Sequence, residues 1–136
     1  MAGKSFHLEI VTPKRTVFSA EVDSFSAPGV IGSFQVLRSH APLLSSIRVG
    51  EVKAIGLDEK ELRFATSGGF VEVHHNKVVM LAETAERADE IDIDRAKLAR
   101  ERAQKRLSER RLETDLDRAK LSLLRSINRL KIAGRN

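Results

Sequence analysis

Short stretches of alternating hydrophobic and polar residues fill the first 90 positions of the chain. Phe6–Val11 follows this pattern, and Thr12-Pro13 ends it. Successive side chains of a β-strand point to opposite faces, so a period of two predicts a half-buried strand. Similar stretches predict strands at residues 6–11, 16–25, 34–37, 61–65, 70–73 and 78–81.

Turn residues help to interpret two further segments. The run at residues 43–55 contains Gly50, and we expect it to bend or to pair with itself there. The segment His74–Lys77 lies between two predicted strands and indicates a tight hairpin. Many short strands at near-regular spacing indicate an antiparallel sandwich or flattened barrel. The predicted fold class is therefore mainly β at the N-terminus, followed by a C-terminal α-helical hairpin.

The hydrophobic period changes after residue 90. Apolar residues then recur every three or four positions, which predicts one amphipathic helix at 91–107 and a second from Leu116 onward. The segment between them contains neither Gly nor Pro, so a hairpin and one long broken helix both fit. Thr114, with Asp117 three residues later, resembles a capping box and predicts the start of the second helix.

Composition and charge divide the chain at the same place. All six Phe, all three Pro and seven of the eight Gly precede residue 91. Residues 1–90 carry 10 Lys and Arg against 12 Asp and Glu, whereas residues 91–136 carry 14 against 7. The net charges are therefore −2 and +7. We predict a β-sandwich domain at residues 1–87 and a two-helix domain at residues 88–136, whose charge would attract an acidic partner.

Several classes of function are disfavoured. The sequence has no Cys, which excludes disulfides and thiol chemistry. No apolar run approaches roughly 18 residues and the N-terminus lacks a signal-like core, so we expect a protein that does not span a membrane. The four His do not follow a metal-ligand pattern, and no nucleophile with its base is recognisable. We therefore expect neither a metal site nor an enzyme.

The arginines of the helices have a more specific arrangement. Arg95 and Arg102 are seven residues apart and Arg125 and Arg129 are four apart, so each pair shares one helix face. In a hairpin that turns near Arg111, Arg95 comes level with the gap between Arg125 and Arg129. Three guanidinium groups at one place repel each other unless an anion lies there. The spacing fits both an anion site and an ordinary solvated surface.

Asp92 also has two interpretations. Asp is a good N-cap and would stabilise the first helix by about 1 kcal/mol. Arg95, one turn later, would then pair with it. Alternatively, Asp92 belongs to the same ligand site as the arginines. The spacing alone favours the cap.

Motifs of one known family occur in order along the chain. They are Val11-Thr12-Pro13, Pro28-Gly29 with Gly32, Val36-Leu37 with His40-Ala41-Pro42-Leu43, Ser67-Gly68-Gly69-Phe70-Val71-Glu72-Val73, Leu81-Ala82-Glu83, Ala85-Glu86-Arg87-Ala88 and Ile91-Asp92-Ile93-Asp94-Arg95-Ala96. In this order they make the chain resemble the epsilon subunit of the bacterial F-type, proton-translocating ATP synthase over nearly its whole length. Arg38-Ser39 departs from the Pro-Gly that is usual in the family, which affects the local turn.

The resemblance implies a non-catalytic subunit of the central stalk that couples the catalytic head to the ring of c subunits. It implies that the sandwich binds the gamma subunit and the c-ring. The helices would permit ATP hydrolysis when folded down and inhibit it when extended, where they meet an acidic segment of the beta subunits. The resemblance also implies a peripheral position on the cytoplasmic side of the bacterial plasma membrane.

The resemblance further implies ATP as a regulatory ligand of the folded-down state, and it leaves the role of Mg²⁺ open. The family's ATP motif, Ile-Asp-x-x-Arg-Ala, matches Ile91, Asp92, Arg95 and Ala96. The other implied ATP-binding residues are Glu86, Arg102, Arg125 and Arg129.

Two other functions of the basic C-terminal segment remain as alternatives. One is a nucleic-acid or acidic-surface binding module, although the tail has seven acidic residues among its basic ones and no aromatic residue for stacking. The other is a dimer formed by a coiled coil, although the apolar stripe lasts barely two heptads before Ser126.

Overall fold

Alternating burial along the first part of the chain builds one network of strands. The computed structural model describes residues 5–134. The strands are β1 (Phe6–Val11), β2 (Thr16–Pro28), β3 (Ser33–Val36), β4 (Leu43–Ile47), β5 (Gly50–Gly56), β6 (Glu61–Thr66), β7 (Gly69–His74), β8 (Lys77–Ala82) and β9 (Ala85–Arg87). They pair in the order β4-β7-β8-β1-β2-β5-β6-β9, and β3 also pairs with β2.

The long strand β2 joins the two halves of this network. Its start pairs with β1, and its end pairs with β3 and β5, with a register shift between Val22 and Ser24. Side chains from all nine strands meet in one buried core that includes Phe6, Phe25 and Phe64. This arrangement confirms the predicted mainly β fold. One pairing, β1 with β8, runs parallel, an exception to the antiparallel pattern expected for the sheet.

The turns partly follow the predictions. His75 and Asn76 adopt positive φ angles between β7 and β8, which confirms the tight hairpin. The chain bends between β4 and β5. This confirms the first of the two alternatives for residues 43–55, a bend near Gly50. The two strands do not pair with each other, because β4 pairs with β7 whereas β5 pairs with β2 and β6.

Two antiparallel helices follow the sandwich. A 3₁₀ turn at Ala88–Glu90 leads into α1 (Ile93–Glu109), and α2 spans Leu116–Ala133. Arg110 adopts the left-handed conformation and ends α1. The chain therefore forms a hairpin, not one long broken helix.

The predicted capping box at the start of α2 is wrong. Asp115 is the N-cap, and its Oδ1 accepts a hydrogen bond of 3.0 Å from the backbone N–H of Arg118. A carboxylate at this position satisfies a free N–H group and interacts favourably with the positive end of the helix dipole. Asp115 therefore takes the role that the spacing had given to Thr114.

The helices pack against each other and also against the sandwich. Ile132 of α2 is buried with Ala65 of β6, Ala88 and Ile91 in a small cluster separate from the main core. The Asn128 side chain donates a hydrogen bond of 2.9 Å to the Gly50 carbonyl. The division into domains at residues 1–87 and 88–136 stays a prediction, and residues 1–4, 135 and 136 lie outside the described range.

Candidate functional site

A cavity of about 690 Å³ lies where the sandwich meets the helical hairpin. Its walls come from the β1–β2 turn, the segment around β9, the first half of α1 and one residue of α2. The volume falls within the range of small-molecule sites. The cavity contains six of the eight predicted site residues, which are Glu86, Asp92, Arg95, Ala96, Arg102 and Arg129.

Asp92 begins α1 and holds its first turn. Its Oδ1 accepts a hydrogen bond of 3.0 Å from the backbone N–H of Arg95. The predicted N-cap is therefore confirmed. The ion pair expected between the two side chains is wrong, because in the described part of the chain the Asp92 carboxylate contacts the Arg95 backbone N–H and not its guanidinium. The Arg95 guanidinium thus stays available to a ligand.

The two arginines of α2 are bound by glutamates of the sandwich. Arg129 Nε lies 2.6 Å from Glu86 Oε1, and an Arg125 terminal nitrogen lies 3.3 Å from Glu83 Oε2. These carboxylates supply the negative charge that closely spaced arginines need. Glu83 was not among the predicted site residues, since its pairing with a helix 42 positions later is a tertiary contact.

Arg125 lies beside the cavity in a separate niche. It shares this niche with Thr66, Ser67 and Thr84, and Arg129 reaches both places. The Arg125 Nε atom is buried and has no hydrogen-bond partner among residues 5–134. An unsatisfied buried donor costs stability, so this guanidinium would gain from a further acceptor.

Ile91 and Ala96 act through packing. Ile91 is buried in the cluster with Ala65, Ala88 and Ile132, and it does not line the cavity. Ala96 is buried and does line it. Because Ala carries only a methyl group, a ligand can come close to the backbone of α1 at this point.

The cavity has more cations than anions free to interact with a ligand. Five basic residues line it, which are Lys14, Arg15, Arg95, Arg102 and Arg129. Arg15 and Arg129 pair with Glu90 and Glu86. Within residues 5–134 the side chains of Lys14, Arg95 and Arg102 have no ion-pair or hydrogen-bond partner. The charge that remains uncompensated therefore favours an anionic ligand.

A second, open cavity of about 570 Å³ lies at the turn between the helices. It is lined by Arg102, Lys105, Arg106, Arg111 and Arg118, together with three acidic residues. It concentrates part of the tail's positive charge at the tip of the hairpin, where we expect an acidic surface to interact favourably.

The described residues offer neither a cluster of metal ligands nor a membrane-spanning helix. Among residues 5–134 no group of three or more His, Asp or Glu side chains could hold a metal ion. In the same part of the chain neither helix is long and apolar enough to cross a membrane.

Comparison with known proteins places the chain in a family. The family description "ATP synthase, Delta/Epsilon chain, beta-sandwich domain" matches residues 5–88, and "ATP synthase, Delta/Epsilon chain, long alpha-helix domain" matches residues 89–134. The chain belongs to the ATP synthase epsilon chain family. The epsilon chain of Pelotomaculum thermopropionicum is 52% identical, over 98% of this chain and 99% of that one.

Other relatives agree with this assignment. The epsilon chain of Desulforamulus reducens is 45% identical, over 96% of this chain and 98% of that one. A chain in the structure of the Euglena gracilis mitochondrial ATP synthase superimposes with a TM-score of 0.76 at 18% identity, over 97% of this chain and 82% of that one. At 18% identity this structural likeness shows only that the two chains share a fold.

Proposed function

We propose that this chain is a non-catalytic subunit of the ATP synthase central stalk, on the cytoplasmic side of the bacterial plasma membrane. With the gamma subunit it would couple the catalytic head to the c-ring. The match to epsilon chains over nearly the full length supports this role. The helical hairpin would regulate ATP hydrolysis, permitting it when docked on the sandwich and inhibiting it when extended.

The contact between hairpin and sandwich is small enough to be reversible. It consists mainly of the cluster around Ile132, the Asn128 hydrogen bond and two ion pairs. Full burial of an Ile side chain contributes about 1.5–3 kcal/mol. Partly exposed ion pairs contribute about 0–1 kcal/mol each. The total is a few kcal/mol, which a ligand or a partner subunit can outweigh.

ATP is the ligand that we assign to the cavity, and this cavity is the observation that carries the regulatory proposal. Arg95, Arg102 and Arg129 would bind the phosphates, while Asp92 and Glu86 lie at the same cavity for the remaining polar groups. Charge-assisted hydrogen bonds contribute roughly 1.5–3 kcal/mol each. Moving an equilibrium from 1:99 to 99:1 requires about 5.5 kcal/mol. Two or three such bonds would reach this magnitude, provided that they form only when the hairpin is docked.

The glutamate pairs reduce the gain from the second helix. Arg129 already binds Glu86 at 2.6 Å, so a phosphate would share or displace that carboxylate. Arg95 has no such competitor within the described residues. We therefore expect Arg95 to contribute more to ATP affinity than Arg129. The chain would bind ATP without cleaving it, and Mg²⁺ is not required by this set of contacts.

The extended hairpin would bring its basic tip to an acidic segment of the beta subunits. The five basic residues around the cavity at the helix turn support this assignment. In the docked state Lys105, Arg106, Arg111 and Arg118 lie outside the ATP cavity, whereas Arg102 lines both cavities. ATP would thus compete with the beta subunits mainly for the position of the hairpin, and for a shared side chain at Arg102.

Calorimetry on the isolated full chain tests the ATP site. We expect one ATP to bind, and Arg95→Ala to weaken binding at least tenfold, the equivalent of about 1.4 kcal/mol. Lys97→Ala is the matched control, because Lys97 is exposed on the same helix and does not line the cavity. No binding by the unmodified chain, or equal affinity in Arg95→Ala, would refute the assignment.

A further inference from the structure

The turn between β1 and β2 places two cations against the ATP cavity. Thr12 fixes this turn, because its N–H donates to the Arg15 carbonyl at 2.9 Å and its Oγ1 accepts from the Arg15 N–H at 3.4 Å. Lys14 and Arg15 are both exposed at the tip and line the cavity. Their position is therefore set by the sandwich and not by the hairpin.

These two cations have weak competition from within the chain. Lys14 has no ion-pair or hydrogen-bond partner among residues 5–134. Arg15 lies 3.7 Å from Glu90, and both of these side chains are more than half exposed. An exposed pair at this distance contributes little and can be exchanged for a phosphate. Both groups can thus reach an anion in the cavity.

Three other basic residues of the cavity belong to the helical hairpin. Arg95 and Arg102 project from α1, and Arg129 projects from α2. If a ligand contacted only these three arginines, it could stay bound to the hairpin when the hairpin leaves the sandwich. A ligand shifts an equilibrium only by its difference in affinity for the two states. Regulation by ATP therefore requires contacts that exist in the docked state alone.

We propose that Lys14 and Arg15 bind the phosphate chain from the sandwich side, so that the ligand bridges the sandwich and α1. This inference rests on the function proposed above and adds the residues that couple ATP to docking. The two cations would act together with Glu86 as the sandwich half of the site. Undocking the hairpin would break these contacts. The ligand would therefore bind the undocked chain more weakly than the docked one, and this difference would favour docking.

The first test compares two double variants by calorimetry with ATP and with inorganic triphosphate. Lys14→Ala/Arg15→Ala should weaken binding of both ligands at least about 100-fold, because two charge-assisted contacts are lost. Arg48→Ala/Lys60→Ala removes the same charge from exposed positions of the sandwich that do not line the cavity. We expect it to change either affinity less than about threefold, through the general field alone.

Hydrogen exchange supplies a second readout that does not depend on a variant. ATP should slow amide exchange at residues 12–17 in the unmodified chain, since the turn is ordered by the ligand. Unchanged exchange there, or unchanged triphosphate affinity in the double variant of Lys14 and Arg15, would overturn the inference. If Arg95→Ala nevertheless loses ATP, only this inference fails. If the unmodified chain binds no ATP, the proposed function fails and the inference fails with it.

Discussion

Replacement of Ile132 by Ala tests whether the hairpin docks as a separate, weakly held unit. Ile132 is 1% exposed and belongs to the small cluster between α2 and the sandwich, whereas the main core contains no residue of α2. The substitution removes three carbon atoms, each worth about 0.8 kcal/mol when buried. The site lies in the last turn of α2, where the chain can relax, so we expect the lower end of the usual range, about 2.5 kcal/mol.

This loss should appear in docking and not in the stability of the sandwich. An equilibrium change of about 2.5 kcal/mol corresponds to roughly 60-fold. An isolated helix of this length is marginal in water, so undocking exposes its amides to exchange. Hydrogen exchange followed by mass spectrometry should therefore accelerate roughly 60-fold in the second half of α2, with little change in β1, β2 or β8.

Ile127→Ala is the matched control for this experiment. Ile127 lies on the same helix and is 45% exposed, so the same substitution removes less buried surface and changes helix propensity equally. We expect at most a fewfold change in exchange. Equal acceleration by the two variants would contradict a docking contact centred on Ile132. Acceleration throughout the sandwich would show instead that the small cluster belongs to one cooperative core.

Three further predictions concern the fold. Gly69→Ala should destabilise the chain by at least about 2 kcal/mol in urea unfolding, because φ is 152° and the new Cβ would lie 2.0 Å from a carbonyl oxygen of β8; a neutral result would contradict the β7–β8 register. Asp115→Ala should cost about 1 kcal/mol of stability by the same measurement, whereas Thr114→Ala should be nearly neutral. The reverse order would contradict Asp115 as the N-cap and favour the capping box at Thr114. Arg63 hydrogen-bonds Glu61 and holds the pKa of that carboxyl below its ordinary value. The Arg63–Glu61 pair therefore stabilises the fold at pH values above the ordinary pKa of Glu61. This stabilisation is lost as the pH falls through the lowered pKa. An NMR titration of Glu61 checks this, and an ordinary or raised pKa would refute it.

Local patterns predicted the elements well because their causes are local. The alternation in Phe6–Val11 reflects one buried and one solvated face, and that strand forms with the expected bounds. The error at Thr114 is also local. Asp115 adjoins it and is the better acceptor at a helix start, so two neighbouring residues were both candidates for the N-cap of α2. Spacing alone does not decide between them.

The candidate site was predictable only in part because its walls meet through tertiary contacts. Helical spacing placed Arg95 and Arg102 on one face, and both line the cavity. Nothing in the period of either helix indicates that Lys14 and Arg15, about 80 positions earlier, line the same cavity. One signal was present in the sequence: two adjacent cations at a turn of an otherwise slightly acidic domain.

The parallel pairing of β1 with β8 has a consequence for the order of folding. The first strand cannot complete its contacts until residues 77–82 have left the ribosome, since Leu8 pairs with Val78 and Ile10 pairs with Met80. Such distant pairings close slowly, whereas a helical hairpin forms from near neighbours. Both helices follow the strands in the chain, so they emerge onto a body that is already able to close. Because the cluster around Ile132 is separate from the main core, we expect that the hairpin can leave the sandwich again without unfolding it.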